Sequence, residues 1–411
     1  MTYLVGAIGL IFLILIHEAG HFFIALAVRM RPRRFYIFFP PAVYKRVRNG
    51  IEYGIGAIPL GGYVKIPGMH RPAGKDLEAH LDRALEEAPW LARDAEPLKE
   101  DLDRERYDDA RARVAELGGA VERAELSEPA RRSAERGITD VDDALSADAY
   151  WRAPAWKRIA VIIAGPATNL VFAILLLAVV FMLGVPDSVT RTVAKVEGGM
   201  PAARFLEDGD QVVAVNGRPV APEQIAERIR GSGGDAIRLT VTRDGERRTF
   251  TATPVEEEIP GQDETVYRLG FSLEPVYKRS DPLEAIGLAA DRTWLVTTVI
   301  FESLGRIVTG EGRDEVASPV GIVQASGEAL DVGVRDYLGV LALISLSLAL
   351  LNMLPLLPLD GGHVAFSIAE AIRGRAIPRE AYERFSAIGI ALVLLLFFIG
   401  LSNDIDRTRG G

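Results

Sequence analysis

The chain has 411 residues, of which 49% are hydrophobic, and a formal net charge of −9 at pH 7. Several long apolar runs in a chain of this length predict a polytopic membrane protein and argue against a soluble protein of two or three domains. Because cysteine is absent, disulfides and thiolate metal ligands are excluded, and any metal site must use His, Asp or Glu. The sequence has no basic patch of the kind that would indicate nucleic-acid binding.

The first apolar run covers residues 3–28 and, at about 1.5 Å per residue, is long enough to cross a bilayer. The N-terminal Met-Thr-Tyr has no Lys or Arg and the apolar run is long, which together favour a retained membrane helix over a cleaved signal peptide. Arginines at positions 29, 31, 33 and 34 follow at once, and such a basic flank marks the cytoplasmic end of a helix. We therefore assign residues 1–32 to a first transmembrane helix that runs inward.

This run contains the sequence His17-Glu18-Ala19-Gly20-His21. Residues i and i+4 share one helix face, so His17 and His21 can bind one metal ion while Glu18 takes a proton from a water at that ion. This is the H-E-x-x-H pattern of zinc metalloproteases. A charged side chain at the bilayer centre costs at least about 2.5–3.5 kcal/mol on insertion scales, and a shared metal explains that cost better than a polar packing face does.

Residues 33–69 contain short β-favouring runs around a Pro/Gly turn at residues 58–62, which predicts a membrane-associated β-hairpin segment. Open strand edges are not tolerated in lipid, so this segment must line a protein cavity or lie at the interface. An edge strand beside the metal can bind an unwound substrate segment by strand addition. An interfacial scaffold without substrate contact accounts for the same pattern equally well.

Residues 70–150 form an acidic insertion, with 22 acidic and 12 basic residues between positions 72 and 150. Leucines spaced four apart predict two or three short amphipathic helices on the cytoplasmic side. We expect flexible joints at Pro89, at Gly118-Gly119 and at Gly137. A disordered, solvating segment is the alternative. His70 and His80 lie outside ligand spacing, so we expect them on the solvated surface.

A second apolar run, residues 159–184, begins after Lys157 and Arg158, so we predict a second transmembrane helix within residues 151–187 that runs outward. Small residues around Gly165 and the amide of Asn169 suit close helix packing. Residues 188–276 follow as an extracytoplasmic α/β domain with hairpin turns at 216–217 and 244–245. Residues 277–336 read as an amphipathic or re-entrant linker.

The last segment, residues 337–403, predicts the third and fourth transmembrane helices. Pro355 and Pro358 must break the first of these at membrane depth, and Asp360 appears at the break. A catalytic zinc usually has three protein ligands and one open position. Asp360 is the better candidate for the third ligand, because it lies at a membrane depth similar to that of His17 and His21 and because a carboxylate inside the membrane is costly without such a role. His363 is the alternative.

Four motifs together resemble the bacterial site-2 proteases, a family of intramembrane zinc metalloproteases with a PDZ domain. They are residues 17–21, residues 59–65 (Pro-Leu-Gly-Gly-Tyr-Val-Lys), residues 164–166 with Asn169, and residues 352–363, which run from Asn352 through Leu-Asp-Gly-Gly-His. The resemblance covers most of the chain except residues 70–150. It implies a polytopic α-helical membrane protein of about four transmembrane helices, with a membrane-associated β-hairpin and one extracytoplasmic PDZ-like domain.

The resemblance implies Zn²⁺ held by His17, His21 and Asp360, with Glu18 as general base. It further implies that Asn352 and the hairpin residues Gly61, Gly62 and Tyr63 hold an unwound substrate.

The expected activity is zinc-dependent endoproteolysis, in the inner (plasma) membrane, of transmembrane segments of single-span proteins such as anti-sigma factors. An upstream site-1 type protease shortens the substrate first, and the PDZ-like domain filters it. The alternative is a non-catalytic PDZ membrane scaffold.

Four features depart from the common family pattern. The two prolines after Asn352 are separated by two leucines, whereas the family often has Pro-x-Pro, and Ser318 stands where glycine is common. Only one PDZ-like unit is visible, and the acidic insertion is not part of the common pattern. None of these departures affects the residues expected to perform the chemistry.

Overall fold

A computed structural model describes residues 2–258, 265–309, 312 and 316–409. The helices are α1 (Thr2–Ala27), α2 (Gly74–Glu87), α3 (Ala92–Asp103), α4 (Tyr107–Arg123), α5 (Glu128–Leu145), α6 (Ala155–Leu183), α7 (Pro222–Arg230), α8 (Pro282–Thr309), α9 (Pro319–Val332), α10 (Val334–Asn352), α11 (Asp360–Arg373) and α12 (Arg379–Arg409). The strands are β1 (Arg34–Arg48), β2 (Ile51–Lys65), β3 (Val185–Val196), β4 (Gln211–Val215), β5 (Arg218–Pro219), β6 (Ile237–Arg243), β7 (Glu246–Ala252), β8 (Val255–Glu258), β9 (Thr265–Arg268) and β10 (Phe271–Lys278). The chain divides into two units, Met1–Ile174 with Thr293–Gly411, and Leu175–Arg292.

Four of the described helices, α1, α6, α10 and α12, are long and apolar enough to cross a membrane. Their spans contain 26, 29, 19 and 28 residues, against the roughly 20 that a bilayer core requires. Helix α8 has 28 residues and is not among these four. The chain is therefore a polytopic α-helical membrane protein that also contains β-sheet.

Strands β1 and β2 form one long hairpin that folds back on itself. Residues 34–37 of β1 pair with residues 62–65 of β2, and the same four residues also pair with residues 52–55. Among the described residues, the segment 62–65 has strand partners on one side only. It is therefore a free edge, with backbone N–H and C=O groups that can accept another strand.

Helices α2 to α5 pack around a core of their own, built from leucine, alanine and valine side chains such as Leu81, Leu98 and Leu117. The expected joints at Gly118-Gly119 and Gly137 are wrong, since these glycines lie inside α4 and α5. A side chain at Gly137 would place its Cβ 2.5 Å from the Cβ of His80, so close packing of α2 on α5 explains this glycine. For the same reason His80 is half-buried, whereas His70 is exposed as expected.

Asp101 is 2% exposed within this helical segment. Its carboxylate accepts hydrogen bonds from the Nε atoms of Arg106 and Arg113, at 2.8 and 2.7 Å. Burial opposes ionisation, but the two guanidinium groups outweigh it and hold the pKa of Asp101 below its ordinary value. An ionic contact thus fixes the loop between α3 and α4.

The unit Leu175–Arg292 contains a sheet in the order β10-β3-β4-β6-β7, with β5 paired to β4, and helix α7 buries Ile225 and Ile229 in its core. Asn216-Gly217 and Asp244-Gly245 join paired strands, and all four residues have positive φ, as a type I′ turn requires. Both hairpin turns expected from the sequence are therefore confirmed.

The break expected near the end of the third membrane helix is also confirmed. Helix α10 ends at Asn352 and α11 begins at Asp360, with Pro355 and Pro358 in the intervening segment. The segment folds tightly over the start of α11. A Cβ at Gly361 would lie 2.3 Å from the carbonyl oxygens of Met353 and Leu354, so only glycine fits there.

Candidate metal centre

Helices α1 and α11 bring three ligand-type atoms together. The Nε2 atoms of His17 and His21 are 3.2 Å apart, and Oδ2 of Asp360 lies 3.1 Å from the first and 3.3 Å from the second. Both histidines are 7% exposed. Among the described residues, these three are the set of His, Asp and Glu whose ligand atoms converge.

The H-E-x-x-H spacing supplies two of these atoms from one helix face, while the third comes from a residue more than 300 positions later. Asp360 occupies the first turn of α11, where the positive end of the helix dipole favours a carboxylate. The segment before it folds tightly onto Gly361 and Gly362 of α11, and this packing positions the carboxylate towards α1.

Helix α6 orients His21 and covers both imidazoles. Nδ1 of His21 lies 2.8 Å from the carbonyl oxygen of Val161, which can only accept, so Nδ1 carries the proton and Nε2 presents its lone pair to the site. A Cβ at Gly165 would lie 2.3 Å from Nε2 of His21 and 2.9 Å from Nε2 of His17. The glycine therefore leaves the space that the donor atoms need.

The donor set fits zinc. Four ligands at about 2.0 Å in a tetrahedron are separated by about 3.3 Å, close to the three distances between the donor atoms. Two imidazole nitrogens and one carboxylate oxygen are also the His₂-carboxylate set of catalytic zinc sites, which keep the fourth position open.

Comparison with known proteins identifies the family. The model of peptidase family M50 matches residues 5–396, nearly the whole chain. The chain belongs to peptidase family M50, the site-2 protease family.

Curated relatives agree with this assignment. The zinc metalloprotease RasP of Bacillus licheniformis is 30% identical, over 96% of this chain and 96% of its own length. The regulator of sigma-W protease RasP of Bacillus subtilis and the probable protease eep of Enterococcus faecalis are each 28% identical, again with 96% of both chains covered. This M50 protein is accordingly a zinc metalloprotease.

Glu18 of the M50 protease lies against the free edge of the hairpin. A Cβ built at Gly62 would lie 2.2 Å from Cγ of Glu18 and 3.2 Å from its Oε1. The edge segment 62–65 thus begins directly beside the carboxylate that the sequence nominates as the base. Gly61 and Tyr63 flank this contact in β2.

Two other residues nominated from the sequence lie apart from the donor atoms. His363 is one turn beyond Asp360 and lies near His70, at 6.4 Å between ring centroids, and it is not in the converging set. The side-chain nitrogen of Asn352 donates to the carbonyl oxygen of Leu348, at 2.9 Å, within its own helix. The described contacts therefore give Asn352 no direct interaction with the three donors.

Sequence reasoning missed the roles of Val161 and Gly165. It assigned the small residues around Gly165 to helix packing and gave Val161 no part in the site. The Gly-Pro pair inside an apolar run marks a close backbone approach, but not which side chain approaches. Only the pairing of α6 with α1 shows that the approaching groups are the two imidazoles.

Proposed function

We propose that this zinc metalloprotease is an intramembrane endopeptidase that cleaves transmembrane segments of single-span membrane proteins. The observation that carries the proposal is the position of His17, His21 and Glu18 on α1, a helix of membrane-spanning length, with Gly62 of a free strand edge directly beside Glu18. His17 lies about 22 Å along that helix, a depth that supports a reaction inside the apolar layer near the cytoplasmic flank.

The free edge prepares the substrate for hydrolysis. A peptide bond in a helix is shielded by its own backbone hydrogen bonds, so a transmembrane substrate must first unwind. Residues 62–65 can take up the unwound backbone as an added strand, which satisfies its polar groups in an apolar setting. Because Gly62 touches Glu18, the added strand passes next to the base.

His17, His21 and Asp360 would hold the zinc, which supplies Lewis-acid chemistry for amide hydrolysis when bound. Glu18 accepts a proton from the attacking water and returns it to the leaving amine. Val161 keeps His21 in the tautomer that binds metal. Asn352, the free edge 62–65 and the adjoining Gly61 hold the substrate chain.

Substrate choice is assigned to the outer domain. The sheet domain within 188–276 resembles a PDZ domain, and the basic flanks of the membrane helices support an extracytoplasmic location for it. It would admit single-span proteins that an upstream site-1 type protease has already shortened. The name of one relative, regulator of sigma-W protease, supports anti-sigma factors as the substrate class.

The test uses the full-length protein in lipid nanodiscs with zinc and a tagged single-span substrate. Mass analysis of the products should place the cleaved bond within the apolar segment, and helix-breaking residues near that bond should raise the rate. Glu18→Gln is the matched inactive control. Cleavage confined to the soluble flanks of the substrate would refute intramembrane hydrolysis.

The filter is tested separately by replacing residues 190–275 with a short linker. This variant should retain zinc and cleave both shortened and unshortened substrates, because the donor atoms and Glu18 lie outside the replaced segment. A folded, zinc-loaded variant that cleaves neither substrate would contradict a filtering role.

A further inference from the structure

Asn169 in α6 carries buried polar atoms that have no role in the metal centre as described so far. Its side chain is 0% exposed, and among the described residues neither its Nδ2 nor its Oδ1 has a hydrogen-bond partner. The hydroxyl of Ser345 donates to Asn169, at 2.9 Å, but it reaches the backbone carbonyl and leaves the amide unpaired. An unpaired buried polar group costs about 1–3 kcal/mol, so this residue reduces the stability of the helix bundle.

The position of Asn169 relates it to the metal centre. Helices α1 and α6 run antiparallel, since His21 meets Val161 near one end and Phe12 meets Phe172 further along. Asn169 lies one turn, about 6 Å, beyond Gly165, whose backbone abuts both imidazoles. Side chains in a helix lean towards its N-terminus, which directs the His17 ring towards the level of Asn169.

The His17 ring has a matching unpaired atom. When its Nε2 binds metal, its Nδ1 carries a proton and needs an acceptor, as metal-bound histidines almost always have. Nδ1 of His17 is buried and, among the described residues, has no partner. Val161 performs this task for His21, so the two ligands differ in their support.

We propose that Asn169 is a positioning residue of the zinc centre. Its amide oxygen accepts, directly or through one bridging water, the hydrogen bond of the His17 Nδ1–H and so orients the imidazole for the metal. The inference rests on the proposed ligand role of His17. Asn169 acts through His17 and does not itself touch substrate or metal.

This role makes a prediction that a packing role does not. Leucine nearly matches asparagine in volume and has no polar atoms to leave unpaired. Asn169→Leu should therefore weaken zinc binding by about 10- to 100-fold, the usual effect of removing a hydrogen-bond partner of a metal ligand. The thermal unfolding temperature of the metal-free variant should equal or exceed that of the parent, because the unpaired amide is gone.

Both quantities are measured on the full chain in detergent, with zinc affinity from chelator competition and unfolding followed without metal. Val171→Leu is the matched control, since it introduces the same leucine on the same helix at a position that is 56% exposed. It should change neither quantity. Asn169→Ser, which keeps a polar group that can bind a water, should retain most of the affinity.

Parental zinc affinity in Asn169→Leu would overturn the proposal. So would a metal-free unfolding temperature well below that of the parent, which would show that Asn169 stabilises the bundle. His17→Ala separates the premises: if it retains zinc, the ligand assignment fails. A parent protein that binds zinc yet cleaves no transmembrane segment would refute the proposed function and leave this affinity measurement intact.

Discussion

The contact of Gly165 with the two imidazoles predicts the effect of a single methyl group. In Gly165→Ala the new Cβ would lie 2.3 Å from Nε2 and 2.6 Å from Cε1 of His21, whereas ordinary contacts begin at 3.4 Å. Either α6 retreats from α1 by about 1 Å or the His21 ring turns away from Val161, which breaks the bond that fixes its tautomer. Overpacking of this kind costs about 1–3 kcal/mol.

We expect the His21 ring to turn, which puts this cost at a donor atom. Because 1.4 kcal/mol is a factor of about ten, zinc affinity should then fall by about 10- to 100-fold. Gly118→Ala is the matched control, because Gly118 lies inside α4 and its Cβ would meet one atom of Ile138 in α5 at 3.8 Å, an ordinary contact distance. It should bind zinc normally and gain about 0.5–1 kcal/mol of helix stability. Zinc is measured by metal mass spectrometry after gel filtration and by chelator competition. Full zinc occupancy with parental turnover in Gly165→Ala would refute the packing argument.

Glu18→Gln should bind zinc as the parent does and lose cleavage, and residual turnover above a few per cent would exclude Glu18 as the sole base. Asp360→Ala should lose zinc and activity together, whereas His363→Ala should retain zinc, and the reverse result would show that the wrong ligand was chosen. Replacing residues 72–148 with a Gly/Ser linker should preserve zinc and turnover of a fixed model substrate, and a zinc-loaded variant without turnover would make the insertion part of the catalytic machine. The ionised Asp101 stabilises its helical segment at pH values above the ordinary carboxyl pKa, near 4. This contribution is lost as the pH falls through the lowered pKa of Asp101. Asp101→Asn should therefore make amide exchange in α3 and α4 faster at neutral pH and less dependent on pH below about 4.

The sequence alone determined the local chemistry. The spacing of His17 and His21 fixes two imidazoles on one helix face, because every helix has the same period. Pro355 and Pro358 end a membrane helix wherever it lies, because proline lacks the backbone donor. The Asn-Gly and Asp-Gly pairs mark type I′ turns for an equally local reason, since both residues tolerate positive φ. In each case the outcome depends on neighbours within a few residues.

Other features of the protein depend on contacts between residues far apart in the chain, and only the tertiary structure shows them. Gly137 looked like a joint because glycine weakens isolated helices, yet it lies inside α5, where contact with His80 of α2 leaves no room for a side chain. Likewise, the support of His21 by Val161 and the contact of Gly62 with Glu18 join residues far apart in the chain. Such contacts depend on how helices and strands are arranged in space, and no periodicity within one segment encodes that arrangement.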